Sequence, residues 1–137
     1  MDILKMSEGI FRISKNEIRA KTIRDLAVER FEDIKEETKT YKIIEQYYEI
    51  IKELVTSIMY ADGFKTLSHK LLFEYLERIY KEFFDKEELI LVDQLRKLRN
   101  DIMYYGKKID SIYLKNKEAQ IKRVIHKLMK LSSDKLR

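Results

Sequence analysis

Apolar residues recur at three- and four-residue spacing along almost the whole chain, the period of an amphipathic helix. The broadest stripe runs through Ile43, Ile44, Tyr47, Tyr48, Ile51, Leu54, Val55, Ile58 and Met59, and is too wide for a single neighbour to cover. Before it lies a helix reaching about Glu36, apolar at Ile18, Ile23, Leu26, Ala27, Phe31 and Ile34. Its start reads as a capping box, Ser14-Lys15-Asn16-Glu17, in which hydroxyl and carboxylate satisfy the first free amides. The two helices part at the polar, β-branched stretch Glu37-Thr38-Lys39-Thr40, a soft boundary because nothing there forbids one continuous helix.

The second helix ends at Asp62-Gly63, where glycine can take the left-handed conformation of a helix stop. Thr66 or Ser68 caps a third, with Leu71, Leu72, Tyr75, Leu76, Ile79 and Tyr80 inside, and the chain turns again between Phe83 and Lys86. A fourth helix spans about Lys86 to Tyr105 with the seam Leu91, Leu95, Leu98, Ile102 and Tyr105, and Gly106 stops it. Asp110 or Ser111 caps the last, whose seam is Ile121, Val124, Ile125, Leu128 and Leu131. Residues 1–13, with Gly9 between two small apolar clusters, read as an arm or a short helix. Short links between helical segments predict one all-α domain over residues 1–137, an antiparallel up-and-down bundle of four to five helices. The nine tyrosines are expected mostly in the core or at an interface.

Composition removes several chemistries. The 137 residues include no cysteine, so disulfides, thiolate metal sites and a cysteine nucleophile are excluded, and two histidines do not make a histidine metal cage. Three glycines and no proline leave no material for a glycine-rich phosphate loop. No cofactor is implied. The Met1 end carries no signal-like apolar run and no stretch approaches spanning length, so a cytoplasmic protein without a membrane partner is expected.

The net charge of +5 is unevenly spread. From Arg96 to Arg137 there are 13 basic side chains against Asp101, Asp110, Glu118 and Asp134, a net +9, whereas the preceding residues total −4. That asymmetry suits a phosphate-bearing partner, and suits a solvated lysine-rich helix about equally well.

The most specific local sequence is Leu95-Arg96-Lys97-Leu98-Arg99-Asn100-Asp101-Ile102-Met103-Tyr104-Tyr105-Gly106. Leu95, Leu98, Ile102 and Tyr105 form its expected buried seam, leaving Arg96, Arg99 and Asn100 on other faces beside Met103 and Tyr104. Arg96 and Asn100, and Asn100 and Tyr104, are one turn apart and within reach of one another. A guanidinium, an amide and a phenol near a helix end suit a phosphate or a base better than acid–base chemistry on carbon. With Lys107 and Lys108 just beyond, they make the expected binding set.

This stretch resembles the signature region of HEPN-domain proteins, small all-helical domains of archaea and bacteria. The family pattern is an arginine, usually followed by a polar residue such as asparagine, with a histidine four to six positions beyond; Arg99 and Asn100 match, and Tyr104 stands at the histidine position. Glu8-Gly9-Ile10, Ala27-Val28-Glu29-Arg30-Phe31, and Asp62-Gly63-Phe64-Lys65 leading to Ser68-His69 and Tyr75-Leu76 look like an archaeal branch of that family. The resemblance implies a homodimer with the two Arg-Asn segments facing one another across a cleft. Many members are metal-independent endoribonucleases, several of them toxins beside a small nucleotidyltransferase antitoxin, and others bind RNA or nucleotides without cleaving. In active members the arginine stabilises charge at phosphorus and the histidine moves protons.

Tyrosine, with an unperturbed pKa of about 10, is a poor base where histidine at about 6.5 is well placed. Positioned acid–base catalysis is worth about 10²–10⁴-fold, so Tyr104 takes away most of the turnover expected at Arg99 and Asn100. Tyr104 retains a hydrogen bond to phosphate or a stack on a base, roughly 1–3 kcal/mol per stacked base. In an up-and-down bundle the third helix begins at the end where the fourth finishes, so His69 is expected near Tyr104 as an auxiliary proton carrier. His126, about sixteen residues into the last helix, would be roughly 24 Å away. A local packing role for His69 is the commoner expectation. The reading that follows is RNA or nucleotide binding with ribonuclease activity weak or lost; the alternatives are an active endoribonuclease toxin and a pure protein-interaction module.

Overall fold

In the computed structural model, which describes residues 8–137, the chain forms β1 (Ile10–Arg12), α1 (Glu17–Asp33), α2 (Thr40–Asp62), β2 (Phe64–Thr66), α3 (His69–Ile79), α4 (Lys86–Tyr105) and α5 (Ser111–Lys135). It is an all-α bundle with one minimal two-stranded sheet. α2 is the central helix, packed against each of the other four, as the width of its apolar stripe requires. Ile44, Tyr48, Ile50, Leu54, Val55 and Ile58 are wholly removed from water. Each such aliphatic side chain contributes about 1.5–3 kcal/mol relative to leaving it exposed.

Most helix ends are set by local chemistry. α2 stops at Gly63 with φ +91° and α4 at Gly106 with φ +60°, both left-handed. The Ser68 hydroxyl accepts from the Leu71 amide and the Asp110 carboxylate from Ile112. Asp85 and Glu88 close a reciprocal capping box at the head of α4. Between α1 and α2 a short 3-10 turn at Ile34–Glu36 ends where the Glu37 carboxylate accepts from the amides of Thr38 and Lys39. Those donors, Lys39 first, hold the Glu37 carboxyl below its usual range.

Three sequence expectations are corrected. The described part of the segment read as an arm or short helix contains β1, paired antiparallel with β2 so that Ile10 faces Thr66 and Arg12 faces Phe64. Ile10 is buried by this pairing, and Thr66 donates to the Gly9 carbonyl; residues 1–7 lie outside the described residues. The first helix is not capped by Ser14. The amides of Ile13 and Asn16 donate to the carbonyls of Gly63 and Tyr60, which fixes the incoming chain, and Asn16 then caps by accepting from Arg19. Finally, Ile18, Leu26 and Tyr105 are exposed, Ile18 and Tyr105 at 83% and 81%. The inward face of α1 is built instead from Ala20 and Ala27, which allow close approach to α2, and in the last turn of α4 Ile102 packs on the core while Tyr105 is left in solvent. Of the nine tyrosines, Tyr47, Tyr48, Tyr75 and Tyr80 are in the core.

α1 and α4 run antiparallel to α2. The link carrying β2 leads the chain back along α2, so that α3 begins near Tyr48 and ends near Asp62: His69 meets Tyr48, whereas Tyr75 and Tyr80 meet Asp62. The first turn of α3 and the later turns of α4 consequently share one end of the bundle. Among the described residues no helix is long and apolar enough to cross a membrane.

Candidate functional site

Arg99 projects from α4 toward α2, where the fully buried Tyr48 ring lies beneath it with the guanidinium carbon 5.4 Å from the ring centre. Only 14% of the Arg99 side chain is exposed. For a charge so withdrawn from water its partners among the described residues are few. One Nη donates to the neighbouring Asn100 Oδ1 over a long 3.4 Å, and the other is 3.9 Å from Glu49 Oε1. A guanidinium has five N–H donors, and these two contacts leave its hydrogen-bonding capacity largely unused.

Glu49 is engaged elsewhere, at 2.7 Å from Lys52 one turn along α2. Arg96, one turn before Asn100, is held by Asp93 through Nε and Nη2 at 3.1 Å, and Lys97 joins the same carboxylate at 3.1 Å. Burial pushes the Asp93 carboxyl up, but the hydrogen bonds from Lys97 and Arg96 outweigh it and hold the pKa below its usual value. Arg96 is therefore satisfied where Arg99 is not.

His69, the first residue of α3, meets the Tyr48 hydroxyl through Nδ1 at 2.9 Å, with the rings 5.8 Å apart. Burial lowers the imidazole pKa below its ordinary value; Lys52, Arg99 and Arg96 lower it further, and Glu49 opposes them. Burial pushes the Tyr48 phenol up to about 12, against the pull of Arg99 and Arg96. At neutral pH the phenol keeps its proton and the imidazole is neutral; the phenol donates to Nδ1 in the Nε2–H tautomer, and Nδ1–H donates to the phenol oxygen in the other.

The structure thus gathers Arg96, Arg99, Asn100 and His69 at one end of the bundle, and adds Tyr48, Glu49 and Lys52, which the sequence reading did not single out. Tyr48 was absorbed into the apolar stripe of α2. Glu49 and Lys52, one and four positions after it, are the polar flank of that stripe and the signal that marks its edge as a site. Tyr104 is placed differently. It is 69% exposed, and its side chain makes no hydrogen bond or ring contact among the described residues. Lys107 and Lys108 line a separate groove of about 470 Å³ with Thr40, Tyr41, Ile102, Gly106 and Ile109, and Lys107 is 3.7 Å from Asp101. Among the described residues no group of three acidic or histidine side chains is arranged to hold a metal ion.

Comparison with known proteins returned no matching family model, no matching curated protein and no matching solved structure.

Proposed function

We propose that the chain is a HEPN-like homodimeric protein that binds RNA or a nucleotide at the Arg99–Asn100 segment, with ribonuclease activity weak or lost. One observation carries this reading: Arg99 is mostly buried on an aromatic face, yet its only carboxylate contact among the described residues is 3.9 Å long and shared with Lys52. A mostly buried guanidinium with unused donors gains most from an anion that offers two acceptor oxygens, and phosphate fits its fork. The basic final third adds long-range attraction for a polyanion. Weak turnover follows from Tyr104, an exposed phenol at the position where the pattern has an imidazole.

Binding of a single-stranded RNA by the protein and by Arg99→Ala tests the reading. Affinity that falls with added salt in the parent and largely disappears in the variant supports it; equal affinities for the two sink it. Sedimentation at micromolar concentration tests the homodimer, for which a monomer is the adverse result.

The second reading, an active metal-independent endoribonuclease paired with a nucleotidyltransferase antitoxin, is favoured by the presence of His69 in the same cluster. Incubation with RNA decides it: intact RNA from both parent and Arg99→Ala removes the enzyme, and cleavage lost only in the variant establishes it.

A further inference from the structure

We propose that anion binding at Arg99 is coupled to proton uptake by His69, so that this is a pH-gated site for a phosphodiester group. This rests on the reading of the Arg99 cluster as a phosphate site and specifies how that site is regulated.

The geometry joins the two groups through one ring. Tyr48 presents its face to Arg99, 5.4 Å away, and its hydroxyl to His69 Nδ1, 2.9 Å away. The charged groups that act on His69 are Lys52 and Glu49 from α2 and Arg99 and Arg96 from α4. The one carboxylate among them, Glu49, is already taken by Lys52 at 2.7 Å. Without an anion on Arg99, a protonated imidazole would be a fourth cation beside Lys52, Arg99 and Arg96, whose carboxylates are already engaged, Glu49 by Lys52 and Asp93 by Arg96 and Lys97. A phosphodiester on Arg99 reverses that balance, because its fixed negative charge favours the imidazolium.

The proton balance is simple. One proton passes from solvent or buffer to the neutral ring, no covalent bond to phosphorus changes, and the ligand itself does not titrate. Tyr48 permits the change with no shift of its ring: beside the Nε2–H tautomer its hydroxyl donates to Nδ1, and after protonation the hydroxyl hydrogen turns away and its oxygen accepts from Nδ1–H. The sign follows from linkage. The bound state holds more protons than the free state, so affinity rises as pH falls from the bound-state pKa to the free-state one, which burial holds below its ordinary value, and levels off once the free imidazole is itself protonated. Within that window the slope approaches, and does not exceed, about tenfold per pH unit.

The test is calorimetric titration of the full chain with a short single-stranded uridine oligomer lacking terminal phosphates, at about pH 7, in two buffers of unlike ionisation heat. The expected result is net proton uptake of up to one per site in the parent and none in His69→Gln, whose side-chain amide can still accept from Tyr48. A second measurement needs no variant. The chain has only two imidazoles, so magnetic resonance can follow the His69 titration with and without oligomer while His126 serves as the control. A midpoint that moves up supports the coupling. Binding without proton uptake, uptake that persists in His69→Gln, or an unmoved midpoint overturns the coupling and leaves the phosphate site standing. Absence of any salt-sensitive binding overturns both.

Discussion

The two ends of α2 carry polar clusters of opposite character. At its C-terminal end Asp62 accepts from the hydroxyls of Tyr75 and Tyr80 and pairs with Lys135 at 2.9 Å from the end of α5. Burial and the Asp62 carboxylate push both phenols well above their ordinary range, which keeps them protonated as donors. Every charge there has short, directed partners, and the cluster ties α2, α3 and α5 together. Toward the N-terminal end, Arg99 has comparable burial but only long contacts, and the neighbouring cations share too few carboxylates. A saturated cluster holds a fold; an undersaturated one, kept in place by the same bundle, holds free energy available to a ligand.

This contrast can be broken by experiment. Asp62→Ala strands two core hydroxyls and Lys135, and should lower unfolding stability by about 2–4 kcal/mol in a urea titration. A loss under about 1 kcal/mol would mean that the saturated cluster holds little. Arg99→Ala should do the converse: RNA affinity falls by about ten- to a hundredfold and the salt dependence becomes shallower, while stability changes by less than about 1 kcal/mol. If Arg99→Ala unfolds the protein instead, the two ends are alike.

His69 gives a smaller effect with a definite sign. Its folded pKa is lowered, so the unfolded chain, at about 6.5, binds the proton more tightly. Stability is therefore fully present above that value and is lost as pH falls from about 6.5 toward the folded pKa. His69→Gln should make this acid limb shallower in unfolding curves taken at several pH values; an unchanged limb would show that the imidazole titrates normally. The smallest effect is expected at Tyr104→Phe, an exposed ring whose hydroxyl bonds nothing among the described residues, where stability should move by less than about 0.5 kcal/mol.

The helical class, a count of four to five helices and the stops at Gly63 and Gly106 were legible in the sequence, as were caps at Thr66 or Ser68 and at Asp110 or Ser111, of which the structure uses Ser68 and Asp110, because caps and stops are chemistry of adjacent residues. What was not legible depended on partners far along the chain. The β1–β2 pair has strands of three residues, too short to show alternation, and forms only because Ile10 meets Thr66. Ser14 and Asn16 both make acceptable caps, and the choice was made by the carbonyls of Tyr60 and Gly63. Tyr105 fitted the seam of α4 by spacing, yet it is 81% exposed among the described residues. Around Arg99 the sequence supplied one strand of the argument, the Arg-Asn stretch. Tyr48, Glu49 and Lys52 came from a helix some fifty residues earlier whose stripe already accounted for the tyrosine.

The ring beneath Arg99 is also a wall of the hydrophobic core, in edge-on contact with Phe73 at 5.9 Å. The site therefore has a floor that moves only when the bundle opens, and its rigidity is borrowed from the interior. Ligand engagement should appear as slower amide exchange spread along α2 and α4, with no separate lid closing over the phosphate.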